Sequence, residues 1–398
     1  MQIFFEIQKG LLEQSFLKTR DIFHEIDFTE RLVWLVGPRW VGKSTMLLEY
    51  LRTKDLSKSL YISADNIYFL EHTLFDFALS FKRDYDGRLL IIDEIHKYPN
   101  WNQELKNIYD SFPNLQVVFS GSSSLDLHVG NYDLSRRARL YHIRGFSFRE
   151  YLNYKYNLEI TRYSFDEVIK NHLQIAQSLG NFPVIKYFRE YLREGYYPYY
   201  VNEKQKDFSK ILETVNKTIY DDIANFYNLK TENLIFFKKM LNYLSVIEPG
   251  EINSNKISKN LEIDNKTVHH YLELLEKWWL IRFLLKDIHG YNVMKNTSKI
   301  YLDNTNLLYA INANLQKNTN IGMVRETFFL GALASSNIPI TFSKIGDFLV
   351  WETVFEIGGE NKTFSQLQKH TGDSYLVLDT IVVWEKHTIP LYLFWLGY

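Results

Sequence analysis

One run of the chain, Gly37-Pro38-Arg39-Trp40-Val41-Gly42-Lys43-Ser44-Thr45, fits the spacing G-x-x-x-x-G-K-[ST]. Each residue type has a task in phosphate chemistry. The glycines let main-chain amides curl around an oxyanion, and the N-terminus of a following helix adds its dipole. Lys43 is placed to reach the β- and γ-phosphates of a nucleoside triphosphate, and the Ser44 hydroxyl to ligate Mg²⁺. The flanks agree: the apolar run LVWLV precedes the motif and the amphipathic STMLLEYL follows it, a strand–loop–helix setting. The expected cofactors are ATP and Mg²⁺, with the whole segment 37–45 as the cradle.

A partner motif is expected at the end of a second strand, and Leu89-Leu-Ile-Ile-Asp93-Glu94 supplies it. Asp93 has the position of the acid that holds the Mg²⁺ hydration shell, and Glu94 that of an acid able to polarise an attacking water. The next apolar run, Leu115–Phe119, ends in Ser120-Gly-Ser-Ser-Ser124. A hydroxyl there, Ser120 first, is a candidate contact to the γ-phosphate or the lytic water; an ordinary serine-rich turn is the alternative. Leu134-Ser-Arg136-Arg137-Ala-Arg139 then concentrates guanidinium groups, one of which could act on the charge that develops during phosphoryl transfer. The spacing alone leaves the choice among Arg136, Arg137 and Arg139 open.

These residues need a scaffold that brings strand ends together. From Leu32 to about Tyr151, short apolar runs (Leu32–Val36, Leu60–Ser63, Leu89–Ile92, Leu115–Phe119, Leu140–Ile143) alternate with helical spacing. That pattern predicts a parallel sheet covered by helices, whose strands are buried on both faces and so lose their polar alternation. The predicted organisation is a 1–152 α/β nucleotide domain, a helical, aromatic-rich lid over 153–230, a winged helix over 231–290 and a small α+β domain over 291–398.

The string LLIIDEIHKYPNW…ELKNIYDSFPNLQVVFSGSSSLDL…DLSRRARLYHIRGFSFREYL resembles the AAA-like P-loop ATPases of bacteria and archaea that carry a winged helix and a C-terminal domain of uncharacterised function. The resemblance implies a sheet with an additional strand between the phosphate-loop and Walker-B strands, and a catalytic glutamate after the Walker-B aspartate. It favours Arg137 among the three arginines, although Arg136 stands where a small residue is expected. Glu194-Gly-Tyr-Tyr-Pro198-Tyr-Tyr resembles the family's lid.

Within 256–279 a short helix (Ile257–Leu261), a turn and a second helix burying Val268, Tyr271, Leu272 and Leu275 give helix-turn-helix spacing, with Asn265, Lys266, His269 and His270 outward. Residues 231–290 hold 8 basic and 8 acidic side chains, so the basic footprint that favours DNA is missing. The last region resembles a restriction-endonuclease-like fold through Glu326, Asp347 and Glu356, but Gly358 stands where that pattern has lysine, and Lys362 substitutes only if the strand bulges. This predicts a degenerate nuclease domain with vestigial acids.

Composition sets the outer limits. The 398 residues contain no cysteine, which excludes disulfides, thiolate metal sites and a cysteine nucleophile, and 46 basic against 47 acidic side chains disfavour bulk nucleic acid or an anionic membrane as partner. No basic, apolar leader or long apolar run is present, which predicts a soluble, cytoplasmic protein without a membrane partner. The expected function is Mg²⁺-dependent ATP hydrolysis that rearranges the attached winged-helix and C-terminal domains, with a homo-oligomer as candidate assembly. The alternatives are a nucleotide-gated switch or scaffold of the defence or toxin–antitoxin type, and an ATP-dependent DNA-processing nuclease.

Overall fold

The structure is a computed structural model that describes residues 1–13, 19–122, 134, 136–180, 182–248, 254–286, 297–384 and 386–397. Ser123, Ser124 and Ser135 of the motifs above lie outside the described residues. The chain divides into two compact units, Met1–Arg144 and Gly145–Tyr398.

The first unit follows from its apolar runs. Its elements in order are α1 (Gln2–Leu12), β1 (Leu32–Val36), α2 (Lys43–Arg52), β2 (Ser59–Ser63), α3 (Leu74–Tyr85), β3 (Leu89–Asp93), α4 (Trp101–Ser111), β4 (Gln116–Gly121) and β5 (Arg139–His142). All five residues of β1 and all five of β3 are buried, as strands covered on both faces must be. The five strands pair in the order β2-β3-β4-β1-β5, and every pairing is parallel. β4 thus separates β1 from β3, the additional strand that the resemblance implied. The register puts Val36 beside Gly121, and Ile92 beside Phe119, so β1, β3 and β4 end at one level. Helix ends are marked by local chemistry: Thr73 accepts the Asp76 amide at the start of α3, and Asp86 closes it in the left-handed region.

The second unit runs from α5 (Phe148–Lys155), capped reciprocally by Ser147 and Glu150, through α6 (Phe165–Ser178), α7 (Val184–Glu194) and α8 (Pro198–Val201). α9 (Ser209–Lys217) continues through a π-helical turn, Thr218–Ile223, into α10 (Ala224–Phe226). Next come α11 (Thr231–Val246), α12 (Ser254–Leu261) and α13 (Asn265–Lys277), then an antiparallel ribbon of β6 (Ile281–Leu285) and β7 (Thr297–Leu302). The Asp264 side chain caps α13 by accepting the Lys266 and Thr267 amides, and Val268, Tyr271, Leu272 and Leu275 are buried.

After α14 (Thr305–Asn314) and α15 (Ile321–Ser335), a second sheet forms from β8 (Thr341–Phe342), β9 (Phe348–Val350), β10 (Thr353–Gly358), β11 (Ser374–Leu378) and β12 (Thr388–Pro390), in spatial order β12-β11-β10-β9-β8. The β8-β9-β10 part is antiparallel and the β10-β11-β12 part parallel. One hydrophobic core runs from Phe146 to Leu396, shared by helices α5–α10, the three-helix-and-ribbon module and the C-terminal sheet.

Candidate functional site

The phosphate loop springs from the end of β1 and closes at the start of α2. Its first glycine is required by packing: a Cβ on Gly37 would lie 1.9 Å from the Ile143 carbonyl oxygen, because β5 crosses close beside it. Gly42 has φ +97°, a left-handed conformation that side chains resist, and it turns the chain into α2. Gly42, the N-cap of α2, has no side chain to cap the helix. An uncapped helix start, opening directly from a curled loop, is suited to an anion. Lys43 is buried, and its Nζ donates to the carbonyls of Gly37 at 2.9 Å and Pro38 at 2.7 Å, which holds the ammonium inside the arc of the loop.

Asp93 and Glu94 end β3 at the level where the loop begins. Asp93 is buried and gripped on both oxygens. Oδ1 accepts the Glu94 amide at 3.0 Å and the Ser120 hydroxyl, and Oδ2 accepts the Tyr61 hydroxyl at 2.6 Å. Burial and the Asp93 charge push the Tyr61 phenol far above its ordinary range, so it stays a donor. Ser120, fully buried on β4, therefore commits its hydrogen to Asp93 and accepts the Glu94 amide at 3.3 Å. Glu94 itself has φ 54°, and its side chain is about a quarter exposed, at 24%. It is the acid of the pair that solvent can reach.

The structure brings together Gly37, Lys43, Asp93, Glu94 and Ser120, with Pro38, Arg39, Trp40, Val41, Ser44 and Thr45 in the loop and the first turn of α2. It does not bring Arg137 to them. β5 starts at Arg139 level with Val33 and runs parallel to β1, so Arg136 and Arg137 precede the strand and Arg139 opens it, at the opposite end of the strands from the loop. Three strand residues separate those levels, about 10 Å at 3.3 Å each. Arg137 instead meets Asp110 at the end of α4, with Nε 3.1 Å from Oδ1, while Arg136 and Arg139 are exposed.

Two participants, Tyr61 and Arg20, were not read from the sequence, while His96 stands in the 93–97 run that carries the resemblance, without an assigned role. Tyr61 is an ordinary residue in an ordinary run. Arg20, buried, donates to the Val41 carbonyl at 2.9 Å and the Arg144 carbonyl at 2.6 Å, bracing the loop against the end of β5. Its partners lie 21 and 124 residues away, so no local pattern announces it.

In the second unit, the three C-terminal acids do gather. Lys299 of β7 donates to Glu326 Oε2 at 3.1 Å and stands 3.6 Å from Asp347 Oδ1, and the Tyr301 hydroxyl donates to Glu326 at 2.6 Å. Asp347 accepts the Ile357 amide at 2.9 Å, and Lys362 pairs with Glu356. Burial, then the Asp347 charge, raises both the Glu326 and Glu356 carboxyls. The expectation that Lys362 needs a strand bulge is corrected. β10 and β11 keep regular register through Gly358, and Lys362 returns after a turn closed by its own amide on Gly359. Its stem lies over Gly358, where any Cβ would meet it at 2.5 Å. Among the described residues, no three His, Asp or Glu side chains are grouped as a metal would require.

The strand order with a strand inserted between β1 and β3, the loop at the end of β1 and the acid pair at the end of β3 define the fold of an AAA-type P-loop NTPase, a class that binds nucleotide. Residues 29–152 match the family described as "AAA domain", and residues 185–319 match a domain of unknown function, DUF8612. The uncharacterized protein MJ1637 of Methanocaldococcus jannaschii is 30% identical over 297 residues, covering 69% of this chain and 61% of that protein. The chain thus spans about three fifths of that relative. An uncharacterized protein of Haemophilus influenzae is 24% identical over 393 residues, 91% of each chain. Among solved structures, AMPPCP-bound DnaA from Aquifex aeolicus is 18% identical over 69% of this chain and 87% of its own, with TM-score 0.27. RuvB from Thermotoga maritima is 14% identical over 80% and 96%, with TM-score 0.30. No helix among the described residues is long and apolar enough to cross a membrane.

Proposed function

We propose that the protein is a Mg²⁺-dependent ATP hydrolase whose nucleotide state rearranges its winged-helix and C-terminal regions. The observation that carries this is the meeting, at one edge of the first sheet, of the Lys43 loop with a doubly gripped Asp93 and a solvent-reachable Glu94. The loop amides, the uncapped start of α2 and Lys43 would hold the β- and γ-phosphates, and Ser44 and Asp93 would hold Mg²⁺, which supplies charge neutralisation when bound. Glu94 draws a proton from a water whose oxygen attacks the γ-phosphorus. The bond to the β–γ bridging oxygen breaks, leaving ADP and phosphate. Ser120 contributes by orienting Asp93. Arg137, at the far end of the strands from its own phosphate loop, would serve the pocket of a neighbouring copy in a homo-oligomer.

The α11–α13 bundle followed by the β6–β7 ribbon supports the winged-helix reading, and its balanced charge favours a protein partner over DNA. The C-terminal acids are matched by Lys299 and Lys362, which supports a packing role over cleavage.

The test is phosphate release from Mg-ATP, with and without single- and double-stranded DNA, for the parent, Lys43→Ala and Glu94→Gln. Lys43→Ala is expected to lose nucleotide affinity. Glu94→Gln is expected to keep it within about threefold while turnover falls about a hundredfold or more. Equal turnover by Glu94→Gln and the parent would remove Glu94 from the mechanism. Slow single-round hydrolysis with a large ATP-dependent change in oligomeric state would instead favour a switch.

A further inference from the structure

Glu94 does not hang free over the pocket. His96, two residues on, has its Nε2 3.3 Å from Glu94 Oε2, within ion-pair distance but without the N–H alignment of a hydrogen bond. Residues two apart do not face each other in a regular helix. Here the left-handed φ of 54° at Glu94 leads into a 3-10 turn over Ile95–Lys97, and the two side chains converge. The other ring nitrogen is held by the main chain: the Ser122 amide donates to Nδ1 at 3.4 Å. A nitrogen that accepts an N–H carries no proton, so the ring hydrogen is on Nε2, the atom aimed at Glu94. The imidazole side chain is 1% exposed against 24% for Glu94, so His96 is shut off from the water that Glu94 can meet. Ser122 lies just beyond β4, the strand whose Ser120 binds both Asp93 and the Glu94 amide.

We infer that His96 is a positioning residue whose Nε2–H closes on the Glu94 carboxylate when nucleotide is bound, as catalytic hydrogen bonds tighten on binding, and which ties its placement to the main chain at the end of β4. This rests on the proposed role of Glu94. The end of β4 thereby reports on both acids, on Asp93 through Ser120 and on Glu94 through His96. A shift of that strand end alters the aim of the base.

The experiment measures kcat and KM for Mg-ATP, nucleotide affinity with a fluorescent ATP analogue, and melting temperature, in full-length His96→Leu, His96→Gln and His96→Asn, beside Glu94→Gln and the Glu94→Gln/His96→Leu double variant. Gln places an amide N–H where Nε2–H was, whereas Asn reaches only as far as Nδ1. Misaiming a base by about 1 Å costs up to about a hundredfold, so kcat should fall about tenfold to a hundredfold in His96→Leu and His96→Asn, with KM and nucleotide affinity unchanged. His96→Gln should recover to within about threefold of the parent, and the double variant should be no slower than Glu94→Gln alone. Parental kcat in His96→Leu overturns the inference, as does a further loss in the double variant. If His96→Leu does not fold, His96→Gln no faster than His96→Asn overturns it equally. Parental turnover in Glu94→Gln would instead sink the hydrolase reading itself, so the two failures are distinguishable.

Discussion

Gly37 and Lys43 belong to one motif yet answer to different physics. The Gly37 Cα is pressed against the Ile143 carbonyl, with no room for a methyl group, so Gly37→Ala must displace backbone. Overpacking against main chain costs about 3 kcal/mol. Gly37→Ala is therefore expected to lower the melting temperature of the first unit by several degrees with or without ATP. Lys43→Ala, at the same loop, should leave the apo melting temperature within a degree or two and abolish only the shift that ATP produces. A thermal scan of both variants, each with and without Mg-ATP, checks this. The site's chemistry was legible where it is written in consecutive residues: 37–45 and Asp93-Glu94. Tyr61 and Arg20 were illegible because each acts on a partner 32 residues or more away in sequence, Tyr61 on Asp93 and Arg20 on Arg144. The role of Ser120 was half legible: it stands in the pocket, but its hydroxyl orients Asp93.

At the scale of elements, β1–β4 could be read because a strand buried on both faces is an apolar run, and with the half-exposed edge strand β5 the five expected runs became five strands within one or two residues of their expected ends. The C-terminal sheet was less legible, since its strands are short and its acids are recognised only once β9 and β10 pair. Lys362 was misjudged for the same reason: a turn, not a bulge, brings it back over Gly358. In α13, Glu276 takes the Phe283 amide at 3.3 Å, yet burial raises its carboxyl to about 7, overriding that bond and the Arg282 charge. The sign follows from linkage: the folded state binds the proton more tightly than the unfolded chain, whose value is 4.5. Stability from this group is full below pH 4.5 and is lost as the pH rises through about 7. Glu276→Gln keeps the acceptor without the charge. Its melting temperature should match the parent near pH 4.5 and exceed it by a few degrees at pH 8. A gain at the acid end would reverse the assignment.

For the whole molecule, the near-equal totals of acid and base do not favour nucleic acid as a partner, and the functional reading rests on where single charges stand. Arg137 is the instructive case. It sits at the end of the strands away from its own phosphate loop, in an ion pair with Asp110, the two side chains being 28% and 42% exposed. Such a half-exposed pair is worth at most about 1 kcal/mol, so the guanidinium can exchange Asp110 for a phosphate presented by a second copy at small cost. Transition-state arginines contribute about a thousandfold or more to phosphoryl transfer. Arg137→Ala should thus bind ATP normally and lose most of its turnover, while Lys43→Ala loses binding. Mixing the two inactive variants is the decisive measurement. If Arg137 works on a neighbouring chain, a Lys43→Ala copy still offers its arginine to the intact pocket of an Arg137→Ala copy. Turnover then rises well above the sum of the two separate rates and depends on total protein concentration. If the mixture stays at that sum while each variant binds its own kind as the parent does, Arg137 is only the partner of Asp110, and the charge on the transferred phosphoryl group is met by other residues.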